Sequence, residues 1–188
     1  MTETQLSSGD VPVDISERQF TLPDTGFLAR VPDGSIRNWQ ARKIVTIGHK
    51  HWPSGRWYFS LKDALRLAVM HDLCVRRGLD FGPTKAAIIA EMVVKAASDH
   101  LAEPSEGYRQ NLNVVVAWEE DGEMFGTTAD IRHPGNYYPP VSDRDGDEYC
   151  PLSRTIVCIP AAKMLSDLII RTEFLQHRNR KAEAPTHV

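Results

Sequence analysis

Two turn signals, Pro32-Asp33-Gly34 and Pro53-Ser54-Gly55, limit what the first third of this chain can fold into. They cut it into short segments, each with its own periodicity. Asp24 to Ala29 reads as a short helix. After the first turn, Ile36, Trp39 and Lys43 recur at helical spacing. Ser35 to Lys43 therefore reads as a second helix, capped by Asp33 or Ser35. Ile44 to Gly48 is β-branched and reads as a strand. Past the second turn, Arg56 to Phe59 reads as its returning partner in a hairpin. Ser60 with Asp63 three residues on is a capping-box-like start, Asp standing in for Glu. The third helix follows from Leu61 to Arg77, with Leu61, Leu65, Ala68, Val69 and Leu73 on one stripe and Gly78 as its stop. A fourth helix starts near Pro83-Thr84 and runs towards Leu101. Its apolar face is Ile88, Ile89, Met92, Val93 and Ala96.

The second half changes character. Leu112 to Trp118 reads as a buried strand, Glu119 to Gly122 as a turn and Met124 to Ile131 as the partner strand. Residues 132 to 153 read as a long loop and Thr155 to Ile159 as a third strand. Pro160 suits the first position of a helix from Ala161 to about Leu175. The expected fold class is thus α+β, with a helix-rich first half followed by a small module of about three strands and a helix. The expected organisation is a flexible N-terminus over 1–19, a first domain over 20–101, an α/β module over 105–176 and a flexible tail over 177–188.

Charge singles out one segment. Ile36 to Lys62 holds Arg37, Arg42, Lys43, Lys50, Arg56 and Lys62 with no Asp or Glu, in a chain whose formal net charge is -3. Such an island suggests a surface built to meet a polyanion, against the plainer reading of a solvated basic face. The overall sign excludes a protein that coats nucleic acid through bulk positive charge, so any such binding is local. Thr21 to His100 carries twelve Lys and Arg against seven Asp and Glu, and Leu101 to the end nine against fourteen. That split, +5 against -5, suggests two functional halves. Three widely spaced cysteines, Cys74, Cys150 and Cys158, imply no disulfide framework. No run approaches the roughly 20 apolar residues of a membrane span. Met1 to Asp10 lacks the pattern of a signal peptide, so the expected location is cytoplasmic.

Helix, turn, helix, hairpin, helix is the plan of a winged helix-turn-helix, and the chemistry suits DNA. The major groove accepts one helix, whose outward side chains reach base edges. Arg37, Asn38 and Gln40 would do so here, with Ser35, Arg42, Lys43, Lys50, His51, Arg56 and Trp57 completing the candidate DNA-binding set. Thr21-Leu22-Pro23-Asp24 leads through Val31-Pro32-Asp33-Gly34-Ser35 to Ile36-Arg37-Asn38-Trp39-Gln40. Gly55-Arg56-Trp57-Tyr58-Phe59-Ser60 then precedes Asp63 and Leu65, and Gly78-Leu79 precedes the fourth helix. In this order and spacing the segment resembles the opening half of MerR-type transcription regulators, where a Thr-Ile start leads through Gly-Val-Ser to Leu-Arg-Tyr-Trp-Glu and a Gly-Tyr-Arg-Tyr-Ser wing. The resemblance covers roughly residues 20 to 95. It implies that Arg37 contacts DNA, that Trp39 is core and that Arg56 lies in the wing. Three positions depart from it. Asn38 stands where the family has Tyr, Lys43 replaces the Gly after the recognition helix, and Trp57 holds the wing Arg position, with the Arg at 56. The long dimerising helix is replaced by the α/β module, since Pro104 follows the fourth helix. The implied function is a dimeric transcription regulator on double-stranded DNA, with an effector or protein partner for the C-terminal module. The alternative is a protein-interaction module on the same scaffold, antitoxin-like or anti-activator.

Other signals are weaker. His49 and His51 share a strand face but have no nearby Cys or acid, so phosphate contact is the better reading than metal. His71 and Cys74 lie one turn apart without visible partners. Asp143 to Glu148 resembles a calcium loop with its Gly misplaced and no Glu at the required distance. Tyr137-Tyr138-Pro139-Pro140 is either a partner-binding strip or a packed loop. A phosphate-binding Gly-rich loop, a nucleophile elbow and paired catalytic carboxylates are all missing, so no enzyme, cofactor or metal is expected.

Overall fold

The computed structural model describes residues 14–52, 54–76, 81–102, 113–120, 122–130, 141–142, 148–149 and 156–183. The chain is α+β, with antiparallel strands and five α-helices among the described residues. Helix α1 (Leu22–Ala29) starts two residues earlier than expected, because Thr21 and Asp24 form a reciprocal capping box. The Asp24 amide donates to Thr21 Oγ1, and the Thr21 amide donates to Asp24 Oδ2 at 3.2 Å. Helix α2 (Asp33–Ala41) also starts two residues early. Neither Asp33 nor Ser35 caps it. Pro32 is the N-cap, its carbonyl taking the amides of Ser35 and Ile36, and Asp33 sits in the first turn, where the helix dipole favours an anion. Ile36 and Trp39 are buried as the spacing predicts.

The hairpin is shorter than expected. Only β2 (His49–Lys50) pairs with β3 (Trp57–Ser60), with His49 opposite Tyr58 and Lys50 opposite Trp57. None of the expected strand, residues 44–48, is a strand, although Val45 and Ile47 are buried. Backbone groups on this approach are satisfied by side chains: Gln40 Nε2 donates to the Ile47 carbonyl at 3.2 Å, and the Gly48 amide donates to Asp63 Oδ2 at 3.2 Å. The other edge of β3 is occupied by β1 (Arg18–Phe20), a strand that falls in the terminus expected to be flexible. Ile15 and Phe20 are buried, and the Lys62 amide donates to the Ile15 carbonyl at 2.9 Å, so residues 14–20 are fastened to the core.

Helix α3 (Leu61–His71) begins at the expected Ser60–Asp63 capping box and ends in a π-helical turn over Asp72–Arg76. It packs on α4 (Pro83–Ala102), which buries Ile89, Val93, Ala96 and Ala97 and leaves Ile88 exposed. In the second half, β4 (Asn113–Glu120) pairs with β5 (Glu123–Asp130). Within the expected long loop, β6 (Val141–Ser142) pairs with β7 (Glu148–Tyr149). The last strand, β8 (Ile156–Ile159), takes the other edge of β4, so the second sheet has the order β5-β4-β8. The remainder of the loop, with Tyr137-Tyr138-Pro139-Pro140 and most of the calcium-like stretch, lies outside the described residues, as do Gly78 and Pro104.

Helix α5 (Ala161–Glu183) runs eight residues past the expected end, into the stretch assigned to a flexible tail. It returns across the first half and contacts α1, α3 and α4. Leu165, Leu168 and Leu175 of α5 join Leu28, Ile36, Leu65 and Ile89 in one buried cluster. Arg171 Nη1 donates to the Leu28 carbonyl, the rings of Phe27 and Phe174 stack at 6.4 Å, and the Arg178 guanidinium lies 5.2 Å over Phe27. The charge split therefore does not divide the chain into two separate cores. Among the described residues, no helix is long and apolar enough to cross a membrane.

Candidate nucleic-acid interface

The turn between α1 and α2 is three residues long, and small-atom packing closes it. A Cβ on Gly26 would sit 2.7 Å from Asp33 Oδ1 and 2.9 Å from the Val31 carbonyl oxygen, so only glycine lets the two helices meet this closely. Both helices end in Schellman-type hydrogen bonding. Arg30 and Val31 donate to the Phe27 and Gly26 carbonyls, and Lys43 and Ile44 donate to those of Gln40 and Trp39. The left-handed residue is Arg30 (φ 57°) in one and Lys43 (φ 55°) in the other. Glycine normally occupies that position. Here a cation does so twice.

The chain then turns toward the hairpin at Gly48 (φ 69°), where a Cβ would lie 2.7 Å from the Phe59 ring. Asp63 fastens this point from below. Its Oδ2 accepts the Gly48 amide and the Ser60 amide (3.0 Å), and its Oδ1 accepts Arg66 Nη1 at 3.2 Å. Arg66 in turn reaches Glu91 on α4. Asp63 was legible in the sequence as a helix cap; its hold on the hairpin was not.

These constraints set α2 beside the hairpin. A cavity of about 490 Å³ is lined by Arg37 and Gln40 from α2, by Gly55, Arg56, Trp57 and Phe59 from the hairpin, and by Thr21 and Leu22. A neighbouring one of about 470 Å³ is lined by Gln40, Lys43, Thr46, His49, Lys50 and Trp57, among others. Gln40 and Trp57 line both, so the two cavities lie side by side and form the furrow between α2 and the hairpin. Of the ten candidates, Arg37, Gln40, Lys43, Lys50, Arg56 and Trp57 meet there. Asn38 and Arg42 are exposed on α2, Ser35 is half-buried in its first turn, and His51 is exposed near the hairpin tip. Gln40 is not a free outward side chain as expected, because its amide nitrogen is committed to Ile47. Among the described residues, none of Arg37, Arg42, Lys43, Lys50 and Arg56 has a carboxylate partner. Four of these cations, Arg37, Lys43, Lys50 and Arg56, line the two cavities without a carboxylate partner among the described residues, and together they hold a positive potential that a polyanion would complete.

Elsewhere the chemistry is sparse. His71 lines a separate polar cleft with Arg30, Asp72, Lys163 and Arg171. Burial raises the Cys74 thiol above its ordinary range. No group of three or more His, Cys, Asp or Glu side chains among the described residues could hold a metal ion. The sequence matches no protein-family model and no curated protein.

Proposed function

We propose that this protein is a winged helix-turn-helix transcription regulator of MerR-like type that binds double-stranded DNA. In this reading α2 is the recognition helix and the β2–β3 hairpin is the wing. Helix α2 has nine residues, and an α-helix with its side chains is about 10–12 Å across, which suits a major groove about 12 Å wide. The observation that carries the reading is that Arg37 on α2 and Arg56 on the hairpin line the same furrow. Arg37 and Asn38 face bases, while Lys43, Lys50 and Arg56 contact phosphates on either side. Three such phosphate contacts correspond to a log–log salt slope of about -2.7 per protomer. A single module covers few base pairs, so the protein acts as a homodimer on a two-fold site. Ile170 and Phe174, both 60% exposed and one turn apart on α5, supply an apolar strip for that contact.

Selection of bound sequences from random duplex DNA, followed by gel shifts, tests the proposal. The selected site should be two-fold symmetric. Arg37→Ala should weaken binding by about 1–3 kcal/mol and relax selection at one position. Unchanged affinity in that variant would remove Arg37 from the site. Failure of the wild-type protein to retain any duplex at low salt would leave the protein-interaction alternative, with the acidic second half as its working surface.

A further inference from the structure

Trp52 is 88% exposed, against 6% for Trp39 and 45% for Trp57. It projects from the tip of the hairpin, and that tip is braced. The His51 amide donates to the Arg56 carbonyl at 2.7 Å, and the Gly55 amide donates to the His51 carbonyl at 2.8 Å. His51 Nδ1 is hydrogen bonded to Ser54 Oγ at 3.1 Å, and the imidazole meets the Tyr58 ring edge-on at 6.1 Å. The indole itself makes no ring or hydrogen-bond contact among the described residues. The most exposed apolar side chain in the hairpin is thus held out in water on a preorganised support. Its surroundings choose among partners. A tryptophan that anchors a protein interface sits within a desolvated, well-packed patch. Here the flanking groups are Lys50, His51, Ser54 and Arg56, and Ile36 to Lys62 contains no acid. A flat π-surface between cations matches stacked bases between phosphates.

We propose that Trp52 is a stacking wedge, inserted between neighbouring base pairs of the duplex where the hairpin tip crosses from the α2 furrow into the adjacent minor groove. This rests on the duplex-binding reading above and adds its mode: the wing unstacks one step and bends the DNA, and that step's deformability contributes to site selection.

The test uses the full-length protein and the duplex selected by the wild type, with 2-aminopurine placed at successive positions and donor and acceptor dyes at the ends. Wild-type binding should raise 2-aminopurine emission at one step per half-site and shorten the end-to-end distance. Trp52→Ala should abolish both signals and lose on the order of tenfold in affinity. Trp52→Phe should keep most of each. Because the indole is 88% exposed, both variants should melt with the wild type. A Trp52→Ala protein that unstacks and bends the duplex like the wild type overturns the wedge. If Arg37→Ala is weakened at the same time, the duplex-binding reading stands without it. A wild-type protein that binds no duplex overturns both. So does a Trp52-dependent response to phosphatidylserine vesicles alone, which would assign the side chain to a lipid surface.

Discussion

Lys43 combines two requirements that pull apart. Its left-handed backbone (φ 55°) disfavours any residue with a Cβ by about 1–2 kcal/mol, while glycine gives back about 0.5–1 kcal/mol in unfolded-state entropy. Lys43→Gly should therefore raise stability by about 0–1.5 kcal/mol. Under the duplex-binding reading it should still weaken binding and flatten the salt slope by about one phosphate. Urea unfolding and a salt series on the one variant check both halves. A glycine stop would have been readable in the sequence. A lysine in that position is not, because nothing in its own chemistry announces a positive φ. The same holds for Arg30.

At the level of elements, the hairpin is held by side chains of α2 and α3 as well as by its own short ladder. β2 contributes two residues, and its approach is tied to Gln40 and Asp63 instead. Asp63 is buried, so its removal deprives the Gly48 and Ser60 amides of their acceptor as well as uncapping α3. The cap contributes about 1 kcal/mol, and each buried unmet donor costs about 1–3 kcal/mol. Asp63→Ala should lose about 3 kcal/mol in urea unfolding, with Asp63→Asn intermediate because its carbonyl still accepts. The elements read correctly from the sequence are those with local causes: the Ser60–Asp63 box, Pro83 at the head of α4, and the apolar stripe of α3. Residues 44–48 read as a strand because β-branched composition reports only that a segment is extended and half-buried. Whether its backbone finds a ladder or side chains depends on Gln40 and Asp63, and α3 must be in place for the second of these.

For the whole molecule, α5 is decisive. It joins the acidic half to the basic half through Leu165, Leu168 and Leu175, so the two oppositely charged halves share one continuous core. Near the C-terminal end of α4, His100 is half-buried, and that burial lowers its pKa below the usual histidine range. The unfolded chain then takes up the proton first as pH falls. Stability contributed by neutral His100 is present above the unfolded pKa of about 6.5 and is lost as pH falls below it. His100→Gln should reduce the slope of unfolding free energy against pH between about 7 and 5. A slope identical to that of the wild type would exclude His100 as a contributor.

Short-range causes (caps, turn residues, the 3.6-residue repeat, the gap in acidic residues from 36 to 62) determined the order of helices, the turn before α2 and the ten-residue candidate set. They act within a few positions, so the chain carries them on its face. Tertiary structure alone decided that Arg18–Phe20 completes the first sheet, that α5 continues to Glu183 across α1, and that Gln40 serves the fold as well as the furrow. Each of these joins groups distant in sequence or depends on a side chain finding a backbone partner. Such contacts exist only once the surrounding core has brought the two together.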